Sequence, residues 1–248
     1  MNISNYIDYA LLKPSATEHE IIELCHNAKE NNFYSVCVNS SYVAVTKQLL
    51  VETDVKVCSV IGFPFGAMAT KAKVYEAKLA LENGADEIDM VINIGFLKSR
   101  NYVSVLRDIS DVKSAIGDTP LKVTLEISEL NKNEIIRACE ICLDANANFI
   151  KTSTGFSKGG ATLTAVKIIK KTIKNNAKIK ASGGIRDYET AIKYIDAGAD
   201  RIGTSSLIKS STHAHQIRNT KIYRKYIETI QKTTDSAKPN NTIKEKEV

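Results

Sequence analysis

The chain has 248 residues, 43% of them hydrophobic and 25% charged, with 12 Gly, 4 Pro and a net charge of +6. That balance suits one large globular domain or two small ones and excludes collagen-like and disordered classes. No apolar run approaches the roughly 18 residues that span a bilayer, and five cysteines in no zinc-type spacing exclude a secreted disulfide scaffold.

Eight short β-type runs are predicted, at 7–12, 34–39, 55–62, 87–93, 121–127, 148–153, 178–182 and 201–205. Amphipathic helical segments alternate with them at 18–32, 42–52, 71–83, 102–116, 132–145, 163–174 and 189–197, and a last one follows at 214–231. Thr17 and Glu20 form a capping-box pattern before the first helix. Asn31-Asn32, Asn83-Gly84 and Ala197-Gly198 supply left-handed residues where helices end. In the sixth segment Leu163, Val166, Ile169 and Ile173 form an apolar stripe, and four lysines crowd the other side. A strand, turn and covering helix take about 30 residues, so the length accommodates eight such units.

The predicted fold is therefore α/β: a single-domain (β/α)₈ TIM barrel over 1–231, with a flexible C-terminal tail at 232–248. The first strand–helix turn has no G-x-G-x-x-G pattern, which argues against a dinucleotide-binding sheet. Cys139 and Cys142 share a helix face, Cys37 and Cys58 lie in apolar runs, and all read as small hydrophobes. Unpaired thiols and an N-terminus without a secretory pattern point to a reduced, cytoplasmic setting. The four histidines read as surface or rim residues, so no metal site is expected.

Active sites of such barrels lie at the C-terminal ends of the strands. Strand residues alternate in direction. If Ile88, Met90 and Ile92 face the helices, then Glu87, Asp89 and Asn93 face the barrel interior. A carboxylate there is costly unless it is paired or functional, and a buried structural ion pair is the competing account of Asp89. By the same alternation Ile150 faces out and Lys151 in, and Ile179 faces out and Lys180 in. An inward amine has little water, which favours the free base that a Schiff-base nucleophile requires. Two such lysines on consecutive strands would repel, favouring loss of one proton. Their combination with an inward Asp is more specific than any one of them.

Gly183-Gly184 follows the seventh strand, and Gly203, Ser205 and Ser206 follow or end the eighth. Glycines let backbone N–H groups approach an anion, and barrels often hold phosphate in these two slots. Tight turns also favour these residues, so the two loops carry more weight together than apart. Nine basic residues and no acid lie between Ala145 and Arg186. Only 7 of the 34 basic residues are Arg, and the window holds only Phe149 and Phe156 as aromatics. A nucleic-acid surface would favour Arg and interleaved aromatics, so a solvated face around a phosphate site is the better account.

These residues fall into motifs: ADEIDMVINIG (85–95), FIKTSTGF (149–156), KASGGIRD (180–187) and RIGTSS (201–206), supported by LLKP (11–14), VCVN (36–39) and IGFPFGA (61–67). The chain thereby resembles the deoxyribose-phosphate aldolases, over about residues 7–206. The resemblance implies a cytoplasmic (β/α)₈ aldolase that needs no cofactor and is a possible homodimer. It implies that Lys151 forms the Schiff base, Asp89 transfers protons and Lys180 tunes the nucleophile. It also places Gly183, Gly184, Ser205 and Ser206 at a phosphate site and Asp8, Thr154 and Gly155 along the substrate pocket. Tyr9-Ala10 stand where many members have His-Thr, Ser40 where Pro is common, and Ser157 where Gly is common. The competing readings are a barrel aldolase for another sugar phosphate and a basic nucleic-acid-binding protein.

Overall fold

The computed structural model describes residues 1–206, and the helix expected at 214–231, the tail expected at 232–248, and His213 and His215 lie outside them. Eight parallel strands close into a barrel in chain order. They are β1 (Ile7–Leu11), β2 (Ser35–Asn39), β3 (Lys56–Ile61), β4 (Glu87–Val91), β5 (Leu121–Thr124), β6 (Phe149–Lys151), β7 (Lys178–Ser182) and β8 (Arg201–Thr204). β1 closes the barrel on β8 through Asp8 opposite Gly203. The described helices are α1 (Glu18–Glu30), α2 (Val43–Leu49), α3 (Thr70–Glu82), α4 (Ile94–Lys98), α5 (Tyr102–Ile116), α6 (Lys132–Asp144), α7 (Leu163–Ile173) and α8 (Tyr188–Asp196).

The helix boundaries have the expected chemistry. Thr17 and Glu20 form the capping box of α1, and Asn131 and Glu134 form a second one on α6. Asn32, Gly84 and Gly198 take positive φ just beyond their helices. On α7, Val166, Ile169 and Ile173 are buried as expected, but Leu163 is exposed and Ala165 takes its place inside. Leu163 is the first residue of that helix, where the stripe has not yet turned onto the barrel.

The main core lies between barrel and helices. Ile88, Met90, Leu121, Val123, Ile150, Ile179 and Ile202 point outward into it from five strands. A second, small cluster of Cys37, Cys58 and Val60 sits apart from it, packed with Ala10, Leu12 and Phe63. Outside the barrel, Lys73 on α3 pairs with Asp108 on α5 at 2.6 Å and donates to the Val91 carbonyl at 3.0 Å. Both side chains are buried, and the pair ties the two helices to the end of β4.

Two expectations are corrected here. Asn93 does not project into the barrel: it follows β4, and its Oδ1 accepts from Phe96 N at 3.0 Å, capping the short helix α4. An Asn at that position satisfies a helix donor that would otherwise be orphaned. The fifth strand stops at Thr124 instead of running to 127, because Glu126 turns left-handed at φ 56° and a 3₁₀ turn follows at Ile127–Glu129.

Candidate active site

Strand parity aims a row of charged side chains into the barrel. Asp89 comes from β4, Lys122 from β5, Lys151 from β6, Lys180 from β7 and Asp8 from β1, and all are buried. Asp89 is the hub. Its Oδ2 accepts from Lys151 Nζ at 2.9 Å and from Lys180 Nζ at 2.8 Å. Its Oδ1 lies 3.3 Å from Lys122 Nζ, which also reaches Glu87 Oε2 at 2.6 Å. Lys180 has a second carboxylate, Asp8 Oδ2 at 2.7 Å, and Asp8 Oδ1 accepts from Ser35 Oγ at 2.8 Å.

This network decides the charge states. Burial alone would push the Asp89 carboxyl up, but the Lys122, Lys151 and Lys180 charges reverse that and hold it well below the usual carboxylate range. Burial alone would push Lys180 down. Asp8 and Asp89, with Cys37, outweigh burial and hold it well above the usual lysine range. Lys122 is raised in the same way, against burial, by Asp89, Cys58, Asp8 and Glu87. The repulsion expected between Lys151 and Lys180 is therefore not what sets Lys180: two carboxylates keep it an ammonium.

A cavity of about 320 Å³ opens above this network, lined by Cys37, Lys151, Thr154, Lys180, Gly183 and Ser205 among others. Gly155, Gly184 and Gly203 line it too, together with Lys13 and Arg186. Asp8, Asp89 and Ser206 are not part of its wall. Asp8 lies beneath it as a partner of Lys180, and the Ser206 N–H is turned onto Thr204 Oγ1 at 3.0 Å. Two glycines are structurally required. Gly183 has φ +93°, and a Cβ there would lie 2.9 Å from Gly160 Cα. Gly203 faces the Lys180 stem, and its Cβ would lie 2.9 Å from Lys180 Cε. A Gly183→Ala variant is expected to distort the loop after β7 and raise KM for a phosphorylated substrate about tenfold or more, with a smaller change in kcat. Steady-state kinetics check it; an unchanged KM would remove this loop from substrate binding.

Lys122, absent from the sequence expectations, obeys the same parity: Leu121 and Val123 flank it as Ile150 flanks Lys151. Cys37, expected to be a small hydrophobe, places its Sγ 3.8 Å from Asp89 Oδ2 and lines the cavity. A hydrogen bond from Cys58 holds the Cys37 thiol down, against its burial. Cys37, Cys58 and Asp89 place one ligand atom each within 4.8 Å of one another. The Lys122 and Lys180 ammonium groups beside Asp89, with Lys151 Nζ on the same carboxylate, oppose a cation there, so this donor set does not fit a metal. Among the described residues, no helix is long and apolar enough to cross a membrane.

A closed parallel barrel with two inward lysines sharing one carboxylate oxygen, under a glycine-rimmed cavity, defines a barrel enzyme built for amine chemistry. The DeoC/LacD family aldolase model matches residues 6–213, and the chain belongs to that family. It is 53% identical over 208 residues to a deoxyribose-phosphate aldolase of Carboxydothermus hydrogenoformans, covering 82% of this chain and 91% of that protein. With the Mycoplasma capricolum deoxyribose-phosphate aldolase it shares 48% over 209 residues, covering 84% and 94%. The tetrameric deoxyribose phosphate aldolase of Aeropyrum pernix superposes with a TM-score of 0.76 at 33% identity, covering 83% of this chain and 87% of that one.

Proposed function

We propose that this protein is a deoxyribose-phosphate aldolase, cleaving 2-deoxy-D-ribose 5-phosphate reversibly to acetaldehyde and D-glyceraldehyde 3-phosphate. The observation that carries the reading is Asp89 Oδ2 held between Lys151 and Lys180 at 2.9 and 2.8 Å, beneath a cavity that both lysines line. Relatives at about 50% identity with that name supply the substrate.

Lys151, as free amine, attacks the C1 aldehyde. The carbinolamine loses water and becomes a protonated imine, whose positive charge is the electron sink for breaking C2–C3. The C3 hydroxyl gives up its proton through a water relay to Asp89. Asp89 is a weak base when held so low, so its larger task is to orient both amines and stabilise the iminium. Lys180 stays an ammonium and faces the charge that develops on the C3 oxygen. The enamine is then protonated, and hydrolysis releases acetaldehyde and restores Lys151. The loops at Gly183-Gly184 and Gly203–Ser205 hold the phosphate, with Arg186 on the same wall.

The same reading covers the finer expectations. In the acid-free window, Lys151 and Lys180 are buried, which leaves less exposed positive charge for a nucleic acid. Five buried free thiols suit a cytoplasmic, reduced setting. Homodimer formation is checked by light scattering. The reaction itself is tested by coupling acetaldehyde release to an alcohol dehydrogenase. Phosphate-dependent turnover of 2-deoxyribose 5-phosphate is expected, and cleavage of another sugar phosphate without acetaldehyde would replace this reading.

A further inference from the structure

Glu126 has no task in the mechanism above, yet it is buried in an unusual conformation beside the cavity. It is 3% exposed, and among the described residues it has no ion-pair partner. Its neighbours keep to β6: Leu125 N donates to the Lys151 carbonyl at 2.9 Å and Ile127 N to the Thr152 carbonyl at 3.0 Å. Glu126 is thus an extra residue between two consecutive ladder bonds, with φ 56° and ψ 66°. A non-glycine residue in this region costs of order 1 kcal/mol or more and persists where surroundings over-determine it. What the turn achieves is a specific contact. Glu126 Oε2 accepts both from Thr154 N, at 3.2 Å, and from the Thr154 hydroxyl.

That contact fixes the polarity of Thr154. The hydroxyl has one hydrogen, and it goes to Glu126. One lone pair accepts from Phe156 N at 3.0 Å. The remaining lone pair belongs to a residue that lines the cavity with Lys151. Thr154 can therefore only accept from a substrate, and its partner has to be a hydroxyl donor. Lys151 holds C1, the glycine loops hold the phosphate on C5, and the C3 oxygen meets Asp89 and Lys180. The C4 hydroxyl is left for Thr154. We infer that Glu126 is a positioning residue that turns Thr154 into an obligate acceptor and so selects substrates bearing a C4 hydroxyl; this rests on the aldolase reading.

In the condensing direction the C4 hydroxyl is the C2 hydroxyl of the acceptor aldehyde. The test measures kcat and KM with acetaldehyde plus either D-glyceraldehyde 3-phosphate or 3-hydroxypropanal phosphate, which lacks that hydroxyl. The wild type is expected to favour the former about tenfold, the worth of one hydrogen bond. Glu126→Met should raise KM for D-glyceraldehyde 3-phosphate about tenfold, with kcat little changed, and leave the deoxy acceptor unaffected. Glu126→Gln keeps an acceptor oxygen and should retain the preference. Thr154→Val should lose it and Thr154→Ser keep it, which carries the test if Glu126→Met does not fold. Equal losses on both acceptors, or a preference that survives Thr154→Val, would overturn the inference. A wild type that condenses neither acceptor defeats the aldolase reading and this inference with it; full activity without preference defeats this inference alone.

Discussion

Lys151→Leu is expected to abolish turnover, by at least about four orders of magnitude, because no other group supplies the imine; that corresponds to about 5.5 kcal/mol of barrier. The fold should survive. Leu fills most of the space of the lysine stem, and Asp89 keeps Lys180 at 2.8 Å and Lys122 at 3.3 Å. Borohydride added during turnover should leave a reduced adduct on Lys151 in the wild type and none in the variant, read by peptide mass spectrometry. Lys180 is the obvious rival, since it lies on the neighbouring strand and lines the same cavity. Its two carboxylate partners argue against it, because an amine held as ammonium by Asp8 and Asp89 is not a nucleophile. An adduct on Lys180, or a Lys151→Leu variant with wild-type activity, would reverse the two roles.

Strand parity made this much legible in the sequence. Ile150 beside Lys151, and Ile179 beside Lys180, point the isoleucines into the helix-facing core, and the structure buries both there. The same pattern held at Asp89, between Ile88 and Met90. Lys122 obeys it too, between Leu121 and Val123, so it was readable and was missed only because its strand has no second landmark. Parity misplaces Asn93 and gives no position for Glu126, for a different reason. Both lie where the strand has already ended, and a capping side chain or a left-handed turn cancels the alternation. Composition gives no sign of φ 56° at a glutamate. The charge of Lys180 was beyond any local reading, since Asp8 arrives from the first strand only when the barrel closes. Likewise Cys37 becomes polar in its surroundings only because closure sets it against Asp89.

Asp89→Asn removes the one anion that three buried lysines share, so it tests the network as a whole. Breaking a buried pair by deleting one partner costs about 3–5 kcal/mol, and here Lys151 would lose its only ion-pair partner among the described residues. Activity should fall with it, since the amines lose their common anchor. The pH dependence separates this from a packing defect. Asp89 titrates below its unfolded value, so its contribution is complete above the ordinary carboxylate range and is lost as pH falls through the folded value. Lys180 titrates above its unfolded value, so its share is complete below the ordinary lysine range and is lost as pH rises through the folded value. Urea unfolding of wild type and variant should therefore differ most across neutral pH and converge at both extremes. A difference that grows towards acid would contradict the ion network. The double variant Asp89→Asn/Lys122→Met supplies the remaining discrimination. Lys122 still has Glu87 at 2.6 Å, but in the single variant it sits beside a neutral amide and two other amines. Deleting it relieves that repulsion but leaves buried Glu87 without its lysine, so the double variant should lose less stability than the sum of the two single variants. It should recover none of the activity, because the carboxylate that aligned Lys151 and Lys180 is still missing.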